Sequence, residues 1–307
     1  MRVLVTGASG FIGRYTLPAL TQLGYSVVAS ARRPGQSITG VEWIAADLLK
    51  PGEAERLARE ARADALLHLA WTVEPDKFWA DPANLDWIGA SLRLIRAAVE
   101  TGTRRVCVTG TCFEYDWPRD GDCVEGVTPL RTHTLYDACK AACHQVLQAY
   151  AAQTSLSLAW ARLFHLYGPY ENPTRLVSSI ARALVAGTPA RTSRGLAIRD
   201  FMDIRDAAAA LASLLASDVR GPVNVATGKG VRILELATML GRLAGRPDLA
   251  QIGALPDRPN DPPRIVAQVS RLTQEVGVEA PRPLEQGLGE ALDFWREVAR
   301  SRSFPLV

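Results

Sequence analysis

Residues 2–13, RVLVTGASGFIG, constrain this chain more than any other stretch of it. A short β-branched run ends at Gly7, Gly10 and Gly13, and a segment with helical apolar spacing, residues 11–23, follows and stops at Gly24. A strand that turns through glycines into a helix leaves peptide N–H groups bare at the helix start, with no Cβ to keep an anion away. Gly13 lets that helix lie close on its strand. The spacing predicts a diphosphate-binding turn at Gly7, Gly10, Phe11, Ile12 and Gly13, suited to a dinucleotide; the alternative is an ordinary strand–helix turn.

The alternation continues down the chain. YSVVAS, VEWIAADL, ADALLHLAW and RRVCVTGT read as strands, the last two nearly without polar positions, as expected of strands buried on both faces. Residues 54–63, 84–101 and 135–154 read as helices, and SLAWARLFHLYGP as a strand running into a loop. Strands separated by helices pair in parallel through right-handed crossovers. Beyond Tyr167 prolines and glycines gather at 168–173 and 256–263, with helices expected around 175–186, 206–216 and 233–243. The expected fold is α/β. A Rossmann-type doubly wound parallel sheet occupies residues 1–168, with 200–226 returning to it, and a smaller mixed substrate domain is formed by 169–199 and 227–307.

Apolar residues make up 48% of the 307, enough for a sizeable core. Lys and Arg total 35 against 32 Asp and Glu, a balance that argues against nucleic acid or a membrane surface as partner. No apolar run is long enough to span a bilayer, and no signal pattern precedes the first strand. The five cysteines lack metal-ligand spacing, so neither metal nor disulfide is expected, and a reducing cytoplasm fits them.

The second strand ends VVASARRPG, without the acid that would accept hydrogen bonds from an adenosine ribose. Ser30, Arg32 and Arg33 instead match a ribose 2′-phosphate through charge-assisted bonds, which predicts NADP(H); a solvated loop is the alternative. Asp47 and Leu48 are expected beside the adenine, and Leu69, Ala70 and Trp71 along the cofactor.

LYDACK puts Tyr136 and Lys140 on one helix face. An ammonium beside a phenol lowers the phenol's pKa and makes it a usable acid or base. The helix follows VTGTCFEY, where Thr111 can offer a hydroxyl to the same substrate oxygen.

With TGASGFIG, ADL, HLAW, GTCFEY, YDACK, RLFHLYGP, RDFMDIRD and VNVATGKGVRILELA in order along the chain, the sequence resembles the extended short-chain dehydrogenase/reductase family of nucleotide-sugar epimerases, dehydratases and reductases. The resemblance implies that Tyr136 exchanges a proton with the reacting oxygen, that Lys140 holds the nicotinamide ribose, and that Thr111 bonds the substrate oxygen. It implies diphosphate contacts from Arg199 and Arg258, for which surface ion pairs are the alternative, and sugar-nucleotide contacts from Asn172, Cys112, Phe113 and His165. Family dehydratases carry Asp-Glu where this chain has Cys112 and Phe113, so elimination is not expected. His165 replaces a frequent asparagine and reads either as a proton donor or as a structural residue. Trp71, Phe78 and Trp79 are expected either to cap the substrate, with Lys77 near its phosphates, or to pack on their own helix. The expected activity is NADPH-dependent reduction of a nucleoside-diphosphate 4-keto-6-deoxysugar. The alternatives are a nucleotide-sugar 4-epimerase, a reductase of a non-sugar carbonyl and a non-catalytic NADP-binding protein. The helices at 84–101 and 135–154 resemble the family's dimer interface, so a homodimer is expected.

Overall fold

The computed structural model describes residues 1–301. Its first part runs β1 (Arg2–Thr6), α1 (Gly13–Gln22), β2 (Ser26–Ala31), β3 (Val41–Ala45), α2 (Glu53–Ala61), β4 (Ala65–His68), α3 (Ala83–Glu100), β5 (Arg105–Thr111), a short 3₁₀ turn (Cys112–Glu114), α4 (Leu135–Gln153) and β6 (Ser157–Leu163). There follow β7 (His165–Tyr167), α5 (Leu176–Val185), β8 (Ala190–Arg191), β9 (Ile198–Asp203), α6 (Ile204–Ala216), β10 (Gly221–Val225), β11 (Gly230–Arg232), α7 (Ile233–Leu243), β12 (Ala250–Gln251), β13 (Arg264–Ile265) and α8 (Leu284–Ser301).

Seven strands form one sheet in the order β10-β6-β5-β4-β1-β2-β3, with every neighbouring pair parallel. Strand side chains alternate between faces. Val3 and Val5 therefore pack with Leu17 and Leu20 of α1 and Leu211 and Leu214 of α6. Leu4 enters the opposite layer with Leu57 of α2, Leu94 and Ile95 of α3 and Leu147 of α4. Each such leucine contributes about 1.5–3 kcal/mol by leaving water, which is why both layers read as nearly unbroken apolar runs. The doubly wound α/β fold expected from the sequence is the fold observed.

The run at 157–167 is not one strand. Phe164 N–H bonds the Val225 carbonyl, after which β7 leaves the large sheet and pairs with β9. β7, β9, β11 and β13 make a small mixed sheet, and β8 pairs with β12. Helices α5, α7 and α8 bury Ile180, Leu184, Leu236, Leu240, Leu288 and Trp295 together. Helix α8 has no counterpart among the helices expected from the sequence. Helix α1 begins at Gly13 rather than Phe11, because Gly10 N–H folds back to the Gly7 carbonyl in a tight turn. Strand order reverses between β1 and β4, where doubly wound sheets open a crevice at their carboxyl ends.

Candidate active site

A cavity of about 790 Å³ occupies that crevice. Gly7, Gly10, Phe11, Ile12 and Gly13 line it, as do Ser30 and Arg32 after β2, Asp47 and Leu48 after β3, and Leu69, Ala70 and Trp71 after β4. Gly7 sits at φ +66°, and a Cβ there would lie 2.8 Å from the Ala70 nitrogen. A Cβ on Gly13 would lie 2.5 Å from the Ala8 carbonyl oxygen, so this glycine serves close packing at the foot of α1. Among the described residues the peptide N–H groups of Phe11 and Ile12 take no partner within the chain. Bare N–H groups at a helix start fit a diphosphate, and Leu48 and Leu69 supply apolar wall. The residues present fit a dinucleotide. Arg33 is exposed and off the cavity wall. Both arginines lie in the bend after β2, and of the pair only Arg32 lines the site.

The floor is made by Thr111 at the end of β5 and by Tyr136 and Lys140 on α4. Thr134 and Asp137 cap α4 reciprocally, and Tyr136 N–H donates to the Trp79 carbonyl at 3.2 Å. The Phe78 ring meets the Tyr136 ring edge-on at 4.8 Å. Lys140 Nζ donates to the Thr109 carbonyl at 2.8 Å and lies 3.9 Å over the Trp71 ring. This reverses one expectation. Burial drives the Tyr136 phenol well above its ordinary value, the Glu114 carboxylate and the Cys112 thiol push the same way, and only a hydrogen bond with Thr111 and the Arg175 charge oppose it. Lys140 is pulled down to about 8, by burial first. Its ammonium is spent on Thr109 and Trp71 rather than on the phenol.

Four residues expected at the substrate stand off the cavity wall. Cys112 is buried with Tyr115, Cys123 and Phe164, and burial holds its thiol far above the usual range. His165 lies between Phe113 and Phe201 with its Nδ1 unpartnered. Burial, then Arg199 and Arg175, lower it to about 3, so it is neutral at pH 7 and is no cationic proton donor. Arg199 is buried and pairs with Asp261 at 2.7 Å, a buried pair rather than the surface one held as the alternative. Arg258 is exposed away from the cavity. Phe113 and Asn172 do line it. The 71–87 insertion is tied to its own helix, where Trp71 Nε1 donates to Asn84 Oδ1 at 2.8 Å and Asn84 Nδ2 to the Phe78 carbonyl at 2.7 Å, and its Trp71 and Phe78 also line the cavity. Lys77 is exposed and pairs with Glu74.

Sequence reasoning missed Glu114, Arg162, Glu171 and Arg175. Glu171 lines the cavity with its carboxyl raised to about 7 by burial and bonded to Ser178. Arg175 lines it nearby. Glu114 directly follows the Cys112-Phe113 pair, and that acid in an apolar run was the available signal. It is wholly buried and turned to Arg162, away from the cavity. No group of three or more potential metal ligands occurs among the described residues.

Enzymes with this arrangement move a hydride between a dinucleotide and a carbon bearing a hydroxyl or ketone, and fold and cavity together place the chain in that class of NAD(P)-dependent, oxidoreductase-type enzymes. It belongs to the NAD dependent epimerase/dehydratase family, whose model matches residues 3–226. The UDP-glucose 4-epimerase of Thermus thermophilus, solved with NAD, superposes with a TM-score of 0.85 at 27% identity, over 96% of this chain and 99% of that one. UDP-glucuronic acid decarboxylase 6 of Arabidopsis thaliana is 28% identical over 94% of this chain and 87% of its own. The dTDP-6-deoxy-L-talose 4-dehydrogenase (NAD(+)) of Aggregatibacter actinomycetemcomitans is 26% identical over 75% of this chain and 85% of its own.

Proposed function

We propose that this chain is an NAD(P)-dependent nucleotide-sugar 4-epimerase. One observation carries the reading: Thr111 and Tyr136 are the hydroxyl groups presented together beside Lys140, while the neighbouring acid, Glu114, is withdrawn from the cavity. Reversible oxidation of one carbinol needs a single proton-exchanging group beside the dinucleotide, and Glu171, the acid on the cavity wall, is engaged by Ser178. Tyr136 takes and returns the proton of the sugar hydroxyl, Thr111 fixes the oxygen, and Lys140 steadies the ribose of the dinucleotide. The dinucleotide, when bound, supplies the hydride acceptor. The similarity to a UDP-glucose 4-epimerase over nearly the whole chain supports this reading above the reductase expected from the sequence.

The 4-keto-6-deoxysugar reductase stands as a second reading, favoured by Ser30 and Arg32 on the wall where a 2′-phosphate of NADP would sit. The proposal includes a homodimer through α3 and α4, where Leu85 and Val146 are exposed, checked by sedimentation. The purified protein is incubated with UDP- and dTDP-sugars and the products are separated. Interconversion of C4 epimers without net NADPH consumption supports the epimerase. Stoichiometric NADPH oxidation with a 4-keto sugar nucleotide, without interconversion, replaces it by the reductase.

A further inference from the structure

The acid that sequence reasoning passed over is the best-connected side chain near the reacting groups. Glu114 Oε1 accepts the Thr111 peptide N–H at 2.9 Å and the Trp160 indole N–H at 3.0 Å, and Oε2 accepts Arg162 Nε at 2.7 Å. Both charged side chains are essentially inaccessible, at 0% and 2% exposure. Arg162 Nη1 donates to the Tyr115 hydroxyl at 3.1 Å, which in turn donates to Asn224 Oδ1 at 2.8 Å. Gly110 completes the device: a Cβ there would lie 2.1 Å from the Trp160 indole nitrogen and 2.6 Å from Glu114 Oε1. The carboxylate thus occupies the space above Gly110 and grips the next peptide, the one that carries Thr111.

A buried ion pair is a poor stabiliser, since desolvation cancels much of its attraction and an apolar pair of similar volume often does as well. Its placement one peptide from the catalytic hydroxyl calls for another account. We propose that Glu114 is a positioning residue of this active site, which clamps the Thr111 peptide so that its hydroxyl stands against Tyr136. The inference rests on the reading that Thr111 and Tyr136 handle the substrate oxygen. Of the groups around Tyr136, Glu114 and Cys112 belong to the 3₁₀ turn after β5 and Arg175 to the 170–175 loop, while Lys140 on its own helix turns to Thr109.

Two variants test this in the full-length protein. Glu114→Gln keeps an acceptor for the Thr111 N–H, so kcat stays within about threefold of wild type although the unpaired Arg162 lowers Tm. Glu114→Leu with Arg162→Met removes clamp and charge without leaving an unpaired ion, so that folding is retained. Its kcat falls about 10- to 100-fold with KM for the nucleotide sugar little changed, and its crystal structure shows Thr111 displaced from Tyr136. A purely structural role would lower Tm alone. Wild-type kcat in the double variant, with Thr111 in place, overturns the proposal. If the wild-type protein turns over no nucleotide sugar, the functional reading fails instead, and the position of Thr111 in the double variant still decides the clamp.

Discussion

The Lys140 ammonium donates to the Thr109 carbonyl 2.8 Å away, the last carbonyl but two of β5. Burial lowers this lysine to about 8, against the attraction of Cys143 and Glu114. A base with a depressed folded pKa binds its proton less readily folded than unfolded. Between about pH 8 and its unfolded value the unfolded chain holds the extra proton, so this group's contribution to stability rises with pH there. Lys140→Met should unfold at a higher temperature than wild type at pH 7, with the gap closing by pH 10, and should lose turnover about 100-fold or more. A gap independent of pH between 7 and 10 contradicts the depressed pKa.

Tyr136→Phe keeps the ring that Phe78 meets at 4.8 Å and removes only the hydroxyl. Turnover should fall by about 10²–10⁴ while Tm stays close to wild type. Near-normal rates in a steady-state assay would remove Tyr136 from the mechanism.

Only Arg32 of the arginine pair lines the cavity. Arg32→Ala should weaken NADPH about 10- to 100-fold, as expected for hydrogen bonds to a charged group, and leave NADH nearly unchanged. Arg33→Ala should affect neither. Equal loss for both dinucleotides in Arg32→Ala, measured by calorimetric titration, would mean that Arg32 does not read a 2′-phosphate.

Gly110→Ala forces a methyl into space held by Trp160 and Glu114, at 2.1 and 2.6 Å. Overpacking of this kind costs about 1–3 kcal/mol, to be read from urea unfolding at unchanged m. An unaltered midpoint would show that indole and carboxylate can withdraw freely.

Burial lowers His68 and His165 to about 3 and His144 to about 4, with Lys140, Arg199 and Arg162 respectively adding to the effect. Each is neutral when folded and takes a proton when unfolded below about pH 6.5. The unfolded state therefore binds more protons as pH falls, and stability drops from about pH 6.5 toward 4. Glu171, raised to about 7, acts in the opposite sense, and Glu125 and Asp200, both raised by burial, act with it. His144→Gln removes one histidine from this balance, so its Tm should gain on wild type between pH 6.5 and 4.5; a gap independent of pH refutes neutral burial of His144.

Local chemistry made the fold legible. Glycines that must pass close to backbone, apolar runs buried on both faces and helix stops at Gly24 and Gly102 are written into short windows, and they specified the parallel sheet and the wall residues from Gly7 to Trp71. The Tyr136–Lys140 spacing likewise follows from helix geometry alone. What the sequence could not state was direction across the fold. Whether Lys140 turns to Tyr136 or to Thr109, whether Arg199 faces a ligand or Asp261, and whether an acid after β5 enters the cavity or the core depend on neighbours contributed from distant segments. Arg162, which takes Glu114 inward, lies 48 residues further along the chain. A buried charge must find its partner wherever packing brings one, so short windows of residues name the groups near the site, and the packing of distant segments chooses which of them line the cavity.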